Sequence, residues 1–308
     1  MSPAQRGAAD RTVVEIEGRR LSLSNLDKVL YPEAGVRKAE VIDYYARIAP
    51  VMLPHLAGRG VTLRRFPDGV DDKSFFEKRC PSHRPEWVPT VPGPGDHVGP
   101  IGYCCLDSTA ALVWAANMAA IEIHAPMAKA AELEQPTTCV FDLDPGAPAG
   151  IPECASVALD IRRVLDRLGV ACYPKTSGSK GLQVYVPLNT PGTTHEGCSS
   201  FAQAVAQLLE RVRRDEVTST MRKDVRPGKV FVDWSQNSRH KTTVAPYSLR
   251  ARPRPTVSTP VTWDEVGAAA DGEPLSFEAA DVLTRVKERG DLFVDVTRLE
   301  QELPEALG

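Results

Sequence analysis

Two aspartates in one short apolar run, Asp142 and Asp144 in TTCVFDLDPG, constrain this chain more than any other feature. The run reads as a strand, and side chains two apart on a strand point to the same face. The aspartates therefore project together, while Phe141 and Leu143 turn back into a core. About ninety residues later KVFVDWSQ repeats the pattern, with Val230 and Val232 facing one way and Phe231 and Asp233 the other. If the two strands are neighbours, three carboxylates converge on a small volume, where like charges are tolerable only with a cation between them. That geometry suits two-metal phosphoryl or nucleotidyl transfer. A plainer reading stands beside it: aspartates near strand ends often cap the next helix or turn, and Asp144-Pro145-Gly146 is good turn chemistry.

Between the two carboxylate segments lies YPKTSGSKGLQVYVPL, residues 173–188. Its small-residue turn, Ser177 to Gly181, precedes an apolar strand from Leu182 to Leu188. Glycines let backbone approach a ligand closely. Serine hydroxyls, exposed amides and Lys180 then supply the ingredients of an anion-binding nest. The turn is not a Walker A loop, because G-x-x-x-x-G-K-[ST] is absent. By itself such a turn is more often a hairpin; set between two carboxylate strands it reads as a phosphate site.

DLD, SGSKGL, VTSTMRKDVRPGKVFVDWSQN and KTTVAPYSLR together resemble the polymerase domain of bacterial ATP-dependent DNA ligase D, a branch of the archaeo-eukaryotic primase (primase-polymerase) superfamily that works in non-homologous end joining. LSNLDKVLYPEAGVRKAEVIDYYARIAPVMLPHL and FFEK fit the same pattern, so the resemblance covers residues from about 20 to about 300. It implies that Asp142, Asp144 and Asp233 bind two divalent ions, manganese in preference to magnesium. It implies that His124 contacts the phosphates of an incoming nucleotide; alternation in AIEIHAP places it on one face with Glu122, opposite Ile121 and Ile123. Ser177, Ser179 and Lys180 match the triphosphate turn, and Arg226, Gln236 and Arg250 match further nucleotide contacts. Lys28 and Lys38 match a pocket for the 5′-phosphate of a downstream DNA strand, Phe75 and Phe76 match aromatics that stack on template bases, and Arg65 matches a backbone contact. One position departs. Many relatives carry histidine after the glycine–leucine pair, where this chain has Gln183, which can still donate to a phosphate oxygen but carries no charge. The departure implies weaker nucleotide affinity or a lower rate than in relatives with the histidine.

The resemblance also implies mixed α/β architecture, with an antiparallel palm in the RNA-recognition-motif style and an N-terminal α/β subdomain. On this reading residues 1–12 are disordered and 13–308 form one catalytic domain. Within it, about 13–120 bind DNA ends, about 121–252 form the palm, and about 253–308 form a helical extension. The residue pattern agrees: a strand or hairpin over Val13–Leu21, helices over Lys38–Leu56, 107–120, 153–168 and 199–214, and strands over 121–124, 139–143, 170–174, 182–187 and 229–234. Pro81 to Gly102 reads as loop, and the proline-rich run Arg252 to Pro260 as a linker to helical segments.

A net charge of −3 over 308 residues would ordinarily argue against a nucleic-acid partner. The distribution says more than the total. Basic side chains cluster at Arg59, Arg64 and Arg65, at Lys73, Lys78 and Arg79, and from Arg211 to Arg254, while acidic ones gather from Glu273 to Glu305. A basic face suffices for phosphate contacts. Of the seven cysteines, Cys104, Cys105, Cys139 and Cys172 read as small buried hydrophobes. Cys80 and His83 lack a second pair that would complete a zinc site. No apolar run reaches membrane-spanning length and no signal peptide is visible, so the expectation is a reduced, soluble, cytoplasmic and nucleoid-associated protein. Its expected partners are 5′-phosphorylated DNA ends or gaps and nucleoside triphosphates, with Ku and a DNA ligase as candidates. The chain reads either as a stand-alone polymerase or as a domain of a longer one. Two other classes compete: a DNA-end bridging module without strong polymerase activity, and a two-metal nuclease. The triphosphate-directed cations argue against the nuclease, because diester hydrolysis needs no such pocket.

Overall fold

The structure, a computed structural model, describes residues 11–93, 95 and 101–304. Arg11–Ile16 (β1) and Arg19–Ser24 (β2) pair as an antiparallel hairpin through a Glu17–Gly18 turn with positive φ at both residues, the geometry that suits the twist of a two-residue hairpin. Arg11 and Thr12, expected to be disordered, are thus strand residues; the rest of that expectation, residues 1–10, lies outside the described residues. Val29–Tyr31 (β3) and Val36–Arg37 (β4) lead into helix α1, Lys38–Leu56. Val41, Tyr44, Tyr45, Ile48, Met52 and Leu56 recur at helical spacing along its buried side. Thr62–Arg65 (β5), Phe75–Glu77 (β6), Thr90–Pro92 (β7) and Gly102–Cys104 (β8) follow. Within the expected loop from Pro81 to Gly102, residues 94 and 96–100 lie outside the described residues.

Helix α2, Thr109–Asn117, starts where Ser108 Oγ accepts the Ala111 N–H at 3.3 Å. It ends short of the expected 120, because Ala119 turns to positive φ and Ala120 opens β9, Ala120–Pro126. Then come Thr138–Pro145 (β10), Ile151–Arg167 (α3), Tyr173–Thr176 (β11), Leu182–Pro187 (β12), His195–Val212 (α4), Val217–Thr218 (β13), Val230–Asp233 (β14), Thr242–Val244 (β15), Trp263–Ala270 (α5) and Ala279–Arg289 (α6).

Two sheets carry the architecture. One runs β11-β12-β10-β14-β13, antiparallel except for its last pair; the other runs β15-β9-β5-β6, antiparallel throughout. Phe141, Leu143, Leu182 and Val184 bury the back of the first sheet against Ala158, Ile161, Phe201 and Val205 of α3 and α4. Full burial of each large apolar side chain contributes roughly 1.5–3 kcal/mol. Leu63, Ile121 and Ile123 bury the back of the second sheet against α1 and α2. The remaining faces, which carry the polar residues of both sheets, turn toward each other.

Tyr45 ties α1 to this arrangement: its hydroxyl donates to the Ile121 carbonyl at 2.6 Å and accepts the Leu249 N–H at 3.1 Å. Tyr45→Phe leaves two buried backbone groups short of a partner, and a loss of about 1–3 kcal/mol is expected, read as a lower denaturant midpoint at unchanged slope.

Two expectations need correction. The proline-rich run is no free linker, for Val257, Ser258 and Thr259 are buried. Ser258 and Thr259 hold the chain between the two sheets, through Tyr247 N–H to Ser258 O at 2.7 Å and Thr176 N–H to Thr259 O at 2.8 Å. Proline alone cannot separate a solvated spacer from an edge segment whose free N–H groups find partners. Nor is the chain fully reduced. Cys80 and Cys104 form a disulfide, with Cα atoms 4.8 Å apart, set up by the Cys80 N–H on Gly102 O at 2.9 Å. That bond occupies the sulfur considered with His83 for zinc. Cys105, Cys139, Cys154, Cys172 and Cys198 are free and buried. Among the described residues, no helix is long and apolar enough to cross a membrane.

Candidate active site

Strand register brings the carboxylates together. Asp142 lies directly opposite Asp233 on β14 and opposite Gln183 on β12, and Gln183 lies opposite Lys175 on β11. Opposed residues share a face, so Lys175, Gln183, Asp142 and Asp233 form one row across the sheet, with Asp144 two residues along β10. All point away from α3 and α4.

Asp142 is the buried centre of the row. Gln183 Nε2 donates to its Oδ1 at 3.0 Å and Gln236 Nε2 to its Oδ2 at 3.2 Å. Burial and the Asp144 and Asp233 charges nevertheless push its pKa up to about 6. Burial and Asp233 likewise raise Asp144, against the pull of Arg226 and Lys241. Asp233 Oδ1 accepts from the Ser235 N–H at 3.0 Å and its hydroxyl at 2.6 Å, and Lys241 Nζ stands 3.6 Å from Oδ2. Three mutually repelling carboxylates are a hard-oxygen donor set of the kind magnesium or manganese takes. Among the described residues, no three His, Cys, Asp or Glu side chains are already closed into a metal cage; glutamine amides, Ser235 and Lys241 occupy the carboxylates instead. Both glutamines were expected to face a nucleotide, and both grip Asp142.

The facing sheet contributes cations around one acid. Glu122, buried on β9, accepts from Arg250 Nε at 3.1 Å, Arg64 Nη1 at 3.3 Å, His124 Nε2 at 3.1 Å and the Ala251 N–H at 3.1 Å. Burial alone would raise its carboxyl, but the His124 hydrogen bond, the Arg250 charge and the Ala251 amide outweigh it and hold the group well below the usual range. Burial, with Arg250 and Arg64 nearby, lowers His124 despite Glu122, and since a carboxylate only accepts, the Nε2 shared with Glu122 carries a proton.

Between the sheets opens a cleft of about 440 Å³, lined by His124, Asp142, Asp144, Ser177, Ser179, Lys180, Gln183, Gln236 and Arg250 among others. Nine residues expected to act together therefore share one hollow. A larger one, about 620 Å³ beside Pro191 and Phe201, offers a single ionisable group, Glu302. Asp233 and Arg226 do not line the cleft. Arg226 lays its guanidinium 3.6 Å from the centre of the Phe231 ring, opposite Asp144, and donates to Met221 O at 2.8 Å.

The serine-rich turn is rigid for identifiable reasons. Ser177 Oγ accepts the N–H groups of Ser179 at 3.2 Å and Gly181 at 3.1 Å, and Arg250 Nη1 donates to Ser177 O at 2.7 Å. A side chain at Gly181 would meet Leu143 O at 2.0 Å, and one at Gly178, where φ is +66°, would meet Val257 at 2.6 Å. Only glycine fits either place. Arg252, which the sequence reading did not select, also lines the cleft and hydrogen-bonds Ser179 Oγ.

A second basic cluster lies on the N-terminal part. The Lys38 N–H donates to Lys28 O at 2.8 Å, which sets the two lysines side by side. Lys38 Nζ donates to Ser24 O at 2.7 Å, and burial with the Lys28 and Arg65 charges pulls its pKa down to about 8. Lys28 pairs with Asp68 at 2.6 Å. Arg65 is engaged by Met118 O at 2.9 Å and Glu77 at 3.1 Å. Phe75 and Phe76 are 45% and 58% exposed, an arrangement that leaves both rings available to a partner. Arg65 and Arg64 each lie 5.2 Å from one of these rings, and Phe76 stands 5.7 Å from His124. Phe76 thus stands beside the cleft through His124, and both aromatics line an open groove of about 760 Å³ with Lys78 and Arg79.

Arg64 was counted only within a basic cluster, and Glu122, Lys175, Lys241 and Arg252 were not picked out as site residues in the sequence. Alternation did place Glu122 beside His124; the others acquire their place only through strand register and the return of the chain after residue 241.

A profile of the LigD primase-polymerase domain matches residues 37–293. The multifunctional non-homologous end joining protein LigD of Mycolicibacterium smegmatis is 46% identical over 277 residues, covering 89% of this chain and 36% of that protein. The bifunctional LigD of Bacillus subtilis is 31% identical over 286 residues, covering 92% of this chain and 45% of that protein. The chain therefore spans less than half the length of these relatives. Among solved structures, the polymerase domain of Mycobacterium tuberculosis ligase D in complex with DNA superposes with a TM-score of 0.84 at 42% identity, over 92% of this chain and 99% of that one.

Proposed function

The chain belongs to the LigD primase-polymerase domain family, and from that premise we propose that it is a DNA-dependent nucleotidyltransferase of end joining. It adds nucleotides, ribonucleotides by preference, to a primer 3′-hydroxyl at gaps and double-strand breaks. The observation that carries this reading is the register of Asp142 against Asp233, with Asp144 on the same face and a cation-lined cleft before them.

Asp142, Asp144 and Asp233 would hold two divalent ions, manganese in preference to magnesium, which when bound supply Lewis acidity to the 3′-hydroxyl and the leaving pyrophosphate. Lys180, Arg250 and Arg252 offset the charge of the triphosphate, and the Ser177–Gly181 turn orients it. His124 donates to a phosphate once the anion draws it from Glu122, and Arg226 steadies Asp144 from outside the cleft. Attack of the 3′-oxygen on the α-phosphorus forms one P–O bond and breaks the bond to pyrophosphate. Phe75 and Phe76 stack on template bases, and Lys28 and Lys38 take the downstream 5′-phosphate. The protein works on DNA in the bacterial cytoplasm, with Ku and a ligase as partners. The bridging-module alternative had Gln183 as its one support, and the grip of Gln183 on Asp142 at 3.0 Å favours a working site instead.

The test is manganese-dependent extension of a gapped primer, with and without a 5′-phosphate, offering ribonucleotides against deoxyribonucleotides. Phosphate-stimulated ribonucleotide addition is expected; tight phosphate-dependent binding without extension under any metal returns the protein to the bridging reading. Lys38→Ala should selectively lose the advantage of the 5′-phosphate. In the parent that advantage has a defined pH dependence. Lys38 has a lowered pKa of about 8, and a bound phosphate raises it, so the preference is strongest below that pH and fades as pH rises through it. A preference unchanged in the Lys38 variant removes the pocket assignment.

A further inference from the structure

The row across the five-stranded sheet ends in a residue that the proposed function does not use. Lys175 is 0% exposed, and among the described residues it makes no ion pair. Its Nζ donates to Ser258 Oγ at 2.6 Å and lies 5.5 Å from the centre of the Tyr185 ring. Ser258 spends its own proton on Thr176 O at 3.0 Å, so the lysine keeps further N–H donors without an acceptor. Beside it in register, Gln183 shows the complementary deficit. Its Nε2 is committed to Asp142, while its buried Oε1 has no hydrogen-bond partner. Spare donors next to an orphaned acceptor, both on the face that carries the carboxylates, are a pair poised to connect. Buried polar groups left in this state are expensive unless some state of the protein satisfies them.

We propose that Lys175 is a positioning residue of the nucleotide site: through Gln183 Oε1 it fixes the amide that holds Asp142, and it supplies from beneath the positive charge that glutamine cannot. This rests on the reading of the cleft as a nucleoside triphosphate site. Burial pulls the ammonium's pKa well down, Arg250 adds to that, and Asp142 opposes it. A triphosphate in the cleft brings negative charge to the same side and favours the protonated amine. Lys175 and Gln183 then act as one unit, split across two strands.

The measurement is the affinity of a fluorescent ribonucleoside triphosphate, with manganese and without primer, for the parent, Lys175→Met, Gln183→His and the double variant. Lys175→Met should weaken binding about tenfold, leave affinity for 5′-phosphorylated DNA unchanged, and melt no lower than the parent, because an unpaired buried cation gives way to an apolar chain. Gln183→His alone should not improve binding, since a second cation then crowds Lys175. In the Lys175→Met background the same change should restore most of the lost affinity. A lysine that merely fills space cannot produce that reversal. Unchanged binding by Lys175→Met, or an equal gain from Gln183→His in both backgrounds, overturns the proposal. Should Lys175→Met fail to fold, the parent background decides alone: improvement by Gln183→His overturns it. A parent that binds no triphosphate sinks the nucleotidyltransferase reading itself, a result visible before any variant is compared.

Discussion

Asp142→Ala is expected to lower nucleotide addition by at least about a thousandfold while leaving the affinity for 5′-phosphorylated DNA unchanged. The two halves of this expectation come from different parts of the molecule. Asp142 is the centre of the carboxylate row, opposite Asp233 and gripped by both Gln183 and Gln236. Removing it takes away the central carboxylate of the row, the one whose charge is opposed by both Asp144 and Asp233, and it frees two glutamine amides to turn elsewhere. Lys28 and Lys38, by contrast, stand just before β3 and at the first residue of α1, and none of their hydrogen bonds reaches the palm sheet. Single-turnover extension of a gapped primer gives the first quantity, and anisotropy of a labelled 5′-phosphorylated duplex gives the second. Extension at the parent rate would sink the assignment of the three aspartates. A parallel loss of DNA affinity would show instead that the variant had lost its fold.

Much of this site was legible because it depends on the shortest-range rule available, the two-residue period of a strand. Asp142 with Asp144, and Glu122 with His124, needed only alternation. The helix over Lys38–Leu56 was equally plain, since its apolar residues follow one period for nineteen residues. What was not legible depends on pairing. Gln183 and Gln236 looked like nucleotide contacts because a glutamine amide can donate to a phosphate or a carboxylate alike, and only the register of β12 and the turn after Asp233 aim both at Asp142. Lys175 reads as an ordinary strand lysine until β11 is set beside β12. The disulfide joins cysteines 24 residues apart with no ligand-like spacing around them. The Arg252–Pro260 run misleads because proline marks solvated spacers and edge segments equally, and burial of Val257 to Thr259 is a property of what packs over them.

Glu122→Leu should reduce stability by about 3 kcal/mol at neutral pH and slow nucleotide addition roughly 10- to 100-fold, though Glu122 touches no substrate in the proposed mechanism. The side chain is 2% exposed and takes hydrogen bonds from Arg250, Arg64, His124 and the Ala251 amide. Its removal strands Arg250, whose side chain is 15% exposed, with only Ser177 O as a partner, and leaves a backbone N–H unpaired. Arg64, at 33%, can turn to water, which keeps the loss near the lower end for a broken buried pair. Arg250 also fixes the Ser177 turn and His124 faces the cleft, so the same change loosens two groups that meet the triphosphate. The charge origin of the effect has a signature. The folded-state pKa of Glu122 lies below its unfolded value of about 4.3, so its contribution is full above that pH and is lost as pH falls further. The gap between the denaturant midpoints of parent and variant should therefore be smaller at about pH 3 than at about pH 7. A gap of equal size at both would mean that Glu122 stabilises by filling space, and the cleft's cations would then need another anchor.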